Sequence, residues 1–113
     1  MALTEEDFVD RADDALEALD AAFSRLATRL PVEADLEGGV LKLTFESDEG
    51  DAVFVISPNR PVRQLWVSAR LQSFKFDWQE DDERWVLHGT GEPLPLVLQR
   101  LTREQLGDAS IDL

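Results

Sequence analysis

The chain of 113 residues has no cysteine and only one histidine. Without thiols it has no disulfide staple, no thiolate metal site and no cysteine nucleophile. Nor can it hold an iron–sulfur cluster through thiolates of its own. With one histidine and no cysteine no nucleophilic triad is available. A protein that is not an enzyme is expected, since a metal-dependent oxidase would need preorganised ligands and the acids look too exposed for that. It contains no Gly-x-x-x-x-Gly-Lys-Ser/Thr phosphate loop and no EF-hand loop. Long apolar runs are missing too, and none approaches the roughly 18 residues that span a bilayer. The start, Met1-Ala-Leu-Thr-Glu-Glu-Asp7, lacks the basic and apolar segments of a signal peptide, and its acids do not suit a transit peptide. A cytoplasmic protein without membrane association is expected; a processed organellar protein would read the same way. There is no internal repeat, low-complexity run or linker, so one domain over residues 1–113 is expected.

Basic residues are scarce. Eleven stand against 24 acids, for a formal net charge of −13. Such a field repels nucleic acid and anionic membranes, and attracts cations and basic protein surfaces. Solubility alone is the competing reading of that charge. The hydrophobic share is 43 %, with six Phe and three Trp, so the chain is not a disordered acidic tail.

What is present reads as helix, strands, helix. Thr4, followed three residues later by Asp7, resembles a capping box with a shorter acid. Phe8, Ala12, Leu16, Leu19, Phe23, Leu26 and Leu30 recur at steps of three and four, one sector of a helix at about 100° per residue. The pattern predicts a helix that runs until Pro31 stops it. Residues 32–37 and 40–46 alternate around Gly38-Gly39 and predict a hairpin. Further strands are predicted over 52–57, 62–69, 74–78 and 84–88, with Pro58-Asn59-Arg60-Pro61 breaking the first of these. Acidic turns fall at 47–51 and 79–83. Leu94, Leu96, Val97, Leu98, Leu101 and Leu106 predict a last helix over about 93–106. Six short strands with short turns favour an antiparallel sheet, one face packed and one open. The expected fold is α+β: a two-layer sandwich in the order αββββββα, with both terminal helices on the packed face.

Two features could carry function. On the first helix, Asp10, Asp13, Asp14, Glu17 and Asp20 fall roughly opposite the apolar sector. Helical neighbours three and four apart lie about 5–6 Å apart at Cβ, so several carboxylates can reach one hydrated cation. Oxygen ligands suit hard ions such as Mg, Ca, Mn or ferric iron; binding would be exposed, weak and unselective. A solvated helix face is the competing reading. The second feature is Trp66. If Leu65 and Val67 face the core, Trp66 lies on the open face between Gln64 and Ser68, a plausible interface anchor. His88, beside a glycine-rich turn, reads as exposed and structural.

The segment Pro61-Val-Arg-Gln64-Leu-Trp66-Val-Ser68 resembles the Pro-x-x-Gln-x-Trp-x-x-Ser neighbourhood of the frataxins, a family that includes the bacterial CyaY type. Gly38-Gly39-Val40-Leu41, Phe74-Lys-Phe-Asp77-Trp78, Trp85-Val-Leu-His88-Gly-Thr-Gly91 and the leucine-rich end resemble further family segments in family order, over about residues 5–106. The resemblance implies the α+β sandwich read above. It implies weak binding of ferrous and ferric iron by carboxylates of the first helix and adjoining edge strand, with no organic cofactor. The candidate ligands are Asp10, Asp13, Asp14, Glu17, Asp20, Glu33 and Asp35. It further implies docking on the cysteine desulfurase and its iron–sulfur scaffold protein, which modulates cluster assembly, through Gln64, Trp66, Lys75 and Asn59; a monomer is expected. The chain departs from the family where acids usually crowd the second half of the first helix, which here reads Ala21, Ser24, Arg25, Ala27 and Arg29. It also has Ser57-Pro58-Asn59-Arg60 before the proline turn and Gln72-Ser73 where the family has glycines.

Overall fold

A computed structural model describes residues 3–113. Helix α1 spans Glu5–Leu26, and six strands follow: β1 Val32–Glu37, β2 Val40–Phe45, β3 Ala52–Asn59, β4 Gln64–Ala69, β5 Gln72–Gln79 and β6 Arg84–Leu87. Helix α2, Leu94–Leu106, closes the order. The strands form one sheet in the order β1-β2-β3-β4-β5-β6, and each pairs antiparallel with the next. This is the two-layer αββββββα sandwich that the alternation predicts.

Local chemistry explains the elements. The Thr4 hydroxyl accepts from the Asp7 backbone N–H at 3.1 Å, which satisfies one of the four free donors at the helix start. Glu5, Glu6 and Asp7 lie at the positive end of α1 and Arg25 at the negative end, each sign favourable to the helix dipole. The buried side of α1 is Phe8, Ala12, Leu16, Leu19, Phe23 and Leu26, the predicted sector. It meets Leu41, Leu43, Phe45, Phe54, Ile56, Leu65, Val67 and Phe76 from the sheet and Leu94, Val97, Leu98 and Leu101 from α2. Fully burying side chains of this size stabilises by about 1.5–3 kcal/mol each before entropy is counted. Phe8 meets Trp85 edge to face at 5.8 Å, and the Trp85 indole N–H donates to the Arg11 carbonyl at 3.3 Å. These contacts tie the last strand to the first helix.

Two of the hairpins turn in two residues. Gly38 and Gly39 have φ of 61° and 78°, the left-handed pair that suits the twist of a two-residue hairpin. Arg70 and Leu71 do the same job at 49° and 64°, although a side chain there costs roughly 1–2 kcal/mol per residue.

Several boundaries differ from the sequence expectation, β5 for one being longer at both ends than 74–78, and three have a clear local cause. The helix ends at Leu26 rather than at Pro31. Thr28 turns its hydroxyl onto the Arg25 carbonyl at 2.8 Å, an alternative to helical bonding, and Leu30 is pushed from helical geometry by the proline after it. Leu30 still packs against the core from the turn. Strand β3 does not break before Pro58; it continues to Asn59, with Pro58 opposite Leu65. The β2–β3 register reaches only Ile56, so Pro58 occupies an edge-like position that tolerates a missing N–H. Strand β4 starts at Gln64, because residues 60–63 form a turn closed by the Arg63 N–H on the Arg60 carbonyl at 3.2 Å.

After α2, Gly107 adopts φ of 64° and ends the helix. The tail then folds back along it. Ile111 is buried, and Arg103 donates from Nε to the Ile111 carbonyl at 2.7 Å and from Nη2 to Asp112 at 2.9 Å.

Candidate functional site

Strand pairing decides which side chains share the open face. Because Leu41, Ile56, Val67 and Phe74 are cross-strand partners on the core side, their sequence neighbours face out. One outward row crosses the sheet as Ser57, Trp66 and Lys75, and the next as Asn59, Gln64, Asp77 and Val86. The four residues singled out for docking, Asn59, Gln64, Trp66 and Lys75, therefore lie in two adjacent rows. Trp66 is 37 % exposed. It is the only aromatic among the exposed large hydrophobics of the described residues.

Side chains on these rows are bonded into a chain. The Trp66 indole N–H donates to Gln64 Oε1 at 2.9 Å. Gln64 Nε2 donates to Asp77 Oδ1 at 2.9 Å, and Asp77 Oδ2 lies 2.7 Å from His88 Nδ1. The Lys75 ammonium sits over the indole. Burial works to raise the Asp77 carboxyl, but hydrogen bonds from Gln64 and His88 and the His88 charge outweigh it, so Asp77 titrates below the usual aspartate value. The sequence alone puts His88 beside a glycine-rich turn as exposed and structural, without bringing it to Asp77. The signal was there: pairing Trp78 with Trp85 across the 80–83 turn puts Val86 opposite Asp77 and makes His88 its diagonal neighbour.

The acids do not converge in the same way. Asp10, Asp13, Asp14 and Glu17 are exposed on α1 and Asp20 is half-buried. Asp14 turns aside from that row to line a groove of about 420 Å3 between the helices, together with Arg11, Ala18, Trp78, Trp85 and Leu94. Glu33 and Asp35 lie on the edge strand β1, opposite Thr44 and Lys42, and face out on the side of the sheet away from α1. Asp35 thus has a cation as its cross-strand partner. Among the described residues, no three His, Cys, Asp or Glu side chains come together to hold one ion. The donors are hard oxygens, which fit iron chemically, but among the described residues they form no cage.

Fold and face together define a class: a small acidic α+β scaffold that presents one indole on the open face of its sheet, among polar residues and a few valines. The chain matches the frataxin-like domain over residues 1–108 and belongs to the frataxin family. It is 37 % identical over 109 residues to the iron-sulfur cluster assembly protein CyaY of Stutzerimonas stutzeri, covering 96 % of this chain and 94 % of that one. The protein of the same name from Azotobacter vinelandii is 34 % identical over 108 residues, with the same coverage. A solved structure of frataxin from Psychromonas ingrahamii superposes with a TM-score of 0.81 at 17 % identity, over 97 % of both chains, a likeness of fold. The two CyaY relatives are named as assembly proteins. Among the described residues no helix is long and apolar enough to cross a membrane.

Proposed function

We propose that this chain assists or regulates iron–sulfur cluster assembly by docking its open sheet face on a complex of cysteine desulfurase and scaffold protein, with iron as loosely held cargo. The observation that carries the docking part is Trp66. It is the only aromatic among the exposed large hydrophobics of the described residues, and exposed indoles of this kind anchor interfaces. Family membership and the name shared by the relatives supply the pathway. The surplus of acid supports long-range attraction to a basic partner surface. Pull-down of the desulfurase complex from the same organism tests the reading. Wild type should capture it at low salt, and Trp66→Ala should not. Capture by neither, or equally by both, removes the docking face.

A second reading keeps the docking and drops the iron: an acidic interaction module that regulates the desulfurase without a physiological metal site. The separation of Glu33 and Asp35 from the α1 acids favours it, as do Arg25 and Arg29 on and after the late helix. Running the pull-down with and without iron separates the two. Iron-dependent capture supports the first, and indifference to iron the second.

A further inference from the structure

Polarity fixes the hydrogen-bonded chain on the open face. An ionised carboxylate can only accept, and an indole N–H can only donate. Gln64 sits between one of each, so its amide satisfies both in a single orientation, NH2 toward Asp77 and oxygen toward Trp66. Facing a carboxylate, His88 Nδ1 must carry the proton of the 2.7 Å contact, and it can do so as neutral imidazole or as imidazolium. The Trp66 ring is then gripped at its N–H by Gln64 and on its face by Lys75, whose Nζ is 4.9 Å from the centroid.

We infer that Asp77 and His88 are positioning residues of the docking face: they fix the Gln64 amide, and through it the orientation of the Trp66 indole, before any partner arrives. Neither has to touch the partner. Their effect is to remove rotamers that Trp66 and Gln64 would otherwise surrender on binding. Freezing one mobile side chain at an interface weakens binding by about three- to tenfold, and loss of the Asp77 grip should restore that penalty. The affinity part of this inference rests on the docking reading above; the orientation part does not.

The test is NMR of the indole N–H signals of the free protein, paired with affinity for the desulfurase complex. Asp77→Ala should shift the Trp66 indole signal and speed its exchange with water, leave the Trp78 and Trp85 indoles in place, and weaken binding about three- to tenfold. His88→Ala, at an exposed site, should move the Trp66 signal in the same direction by less. Asp77→Asn should restore the wild-type signal, since its oxygen can accept from Gln64 while its NH2 donates to His88 Nδ1 in the neutral tautomer that carries its proton on Nε2. A Trp66 signal unmoved by Asp77→Ala overturns the inference whatever the affinity does. A signal moved by Asp77→Ala but not by His88→Ala removes His88 from it. If the signals behave as expected but Trp66→Ala binds the complex like wild type, the docking reading fails and the orientation result stands.

Discussion

Lys75 lies directly across the β4–β5 ladder from Trp66, and its ammonium caps the indole face 4.9 Å from the ring centroid. The cation and the ring are thus a preformed pair on the open face. An exposed cation–π contact is worth roughly 0.5–1 kcal/mol, enough to bias the ring but not to hold the fold.

The first prediction follows. Trp66→Ala should weaken binding to the desulfurase complex by about thirtyfold, the scale of an interface anchor. Lys75→Ala should weaken it about two- to fivefold. Neither should change unfolding free energy by more than about 1 kcal/mol, because both side chains are on the surface. Calorimetric binding and urea titration read the two quantities separately. A large stability loss with unaltered binding would mean that Trp66 belongs to the scaffold.

Combined Asp13→Asn, Glu17→Gln and Asp20→Asn substitutions should abolish saturable iron binding while preserving the fold. Each like-charged pair at helical spacing destabilises by a few tenths of a kcal/mol, so the variant should also melt slightly higher. Iron titration followed by circular-dichroism melting checks both. An unchanged iron isotherm removes α1 as the carrier.

Leu71→Gly should stabilise the protein by about 0.5–1 kcal/mol. Leu71 is fully exposed and held at φ of 64°. Glycine relieves the left-handed strain at some cost in chain entropy. Gly39→Leu, introducing that strain at φ of 78°, should do the reverse. Urea midpoints decide, and a loss of stability in Leu71→Gly would show that Leu71 makes a contact worth more than its strain.

Acid sensitivity should be shallower in Asp77→Asn than in wild type. Folded Asp77 titrates below the ordinary value of 3.8, so the unfolded chain takes up its proton first. The stability it contributes is present above that ordinary value and is lost as pH falls through the lowered folded one. Urea unfolding at steps from about pH 5 to pH 2 reads the slope. Identical slopes in the two proteins would show that Asp77 contributes nothing to it.

Much of this architecture was legible because its signals are periodic. Phe8 to Leu26 fall on one helical sector, and the alternation at Gln64, Leu65, Trp66 and Val67 assigned Trp66 to the open face. Local competition was harder to read. Thr28 ends α1 early through a backbone bond of its own, and Pro58 stays in β3 because its neighbour on one side has stopped. The Asp77–His88 contact needed the β5–β6 register, which alternation within each strand does not supply. The acidic set was hard to place for a related reason. Charge can be counted along a chain, but whether Glu33 shares a face with Asp13 depends on how the helix crosses the edge strand.

The neighbour-to-neighbour sheet order has a consequence for synthesis. Each hairpin can close as soon as its second strand leaves the ribosome, since no pairing waits for a distant segment. Helix α1 emerges first and has nowhere to lay Phe8, Leu16 and Phe23 until several strands exist. The nascent chain therefore carries this apolar stripe unburied through most of its translation, flanked by acids that favour solubility in the meantime.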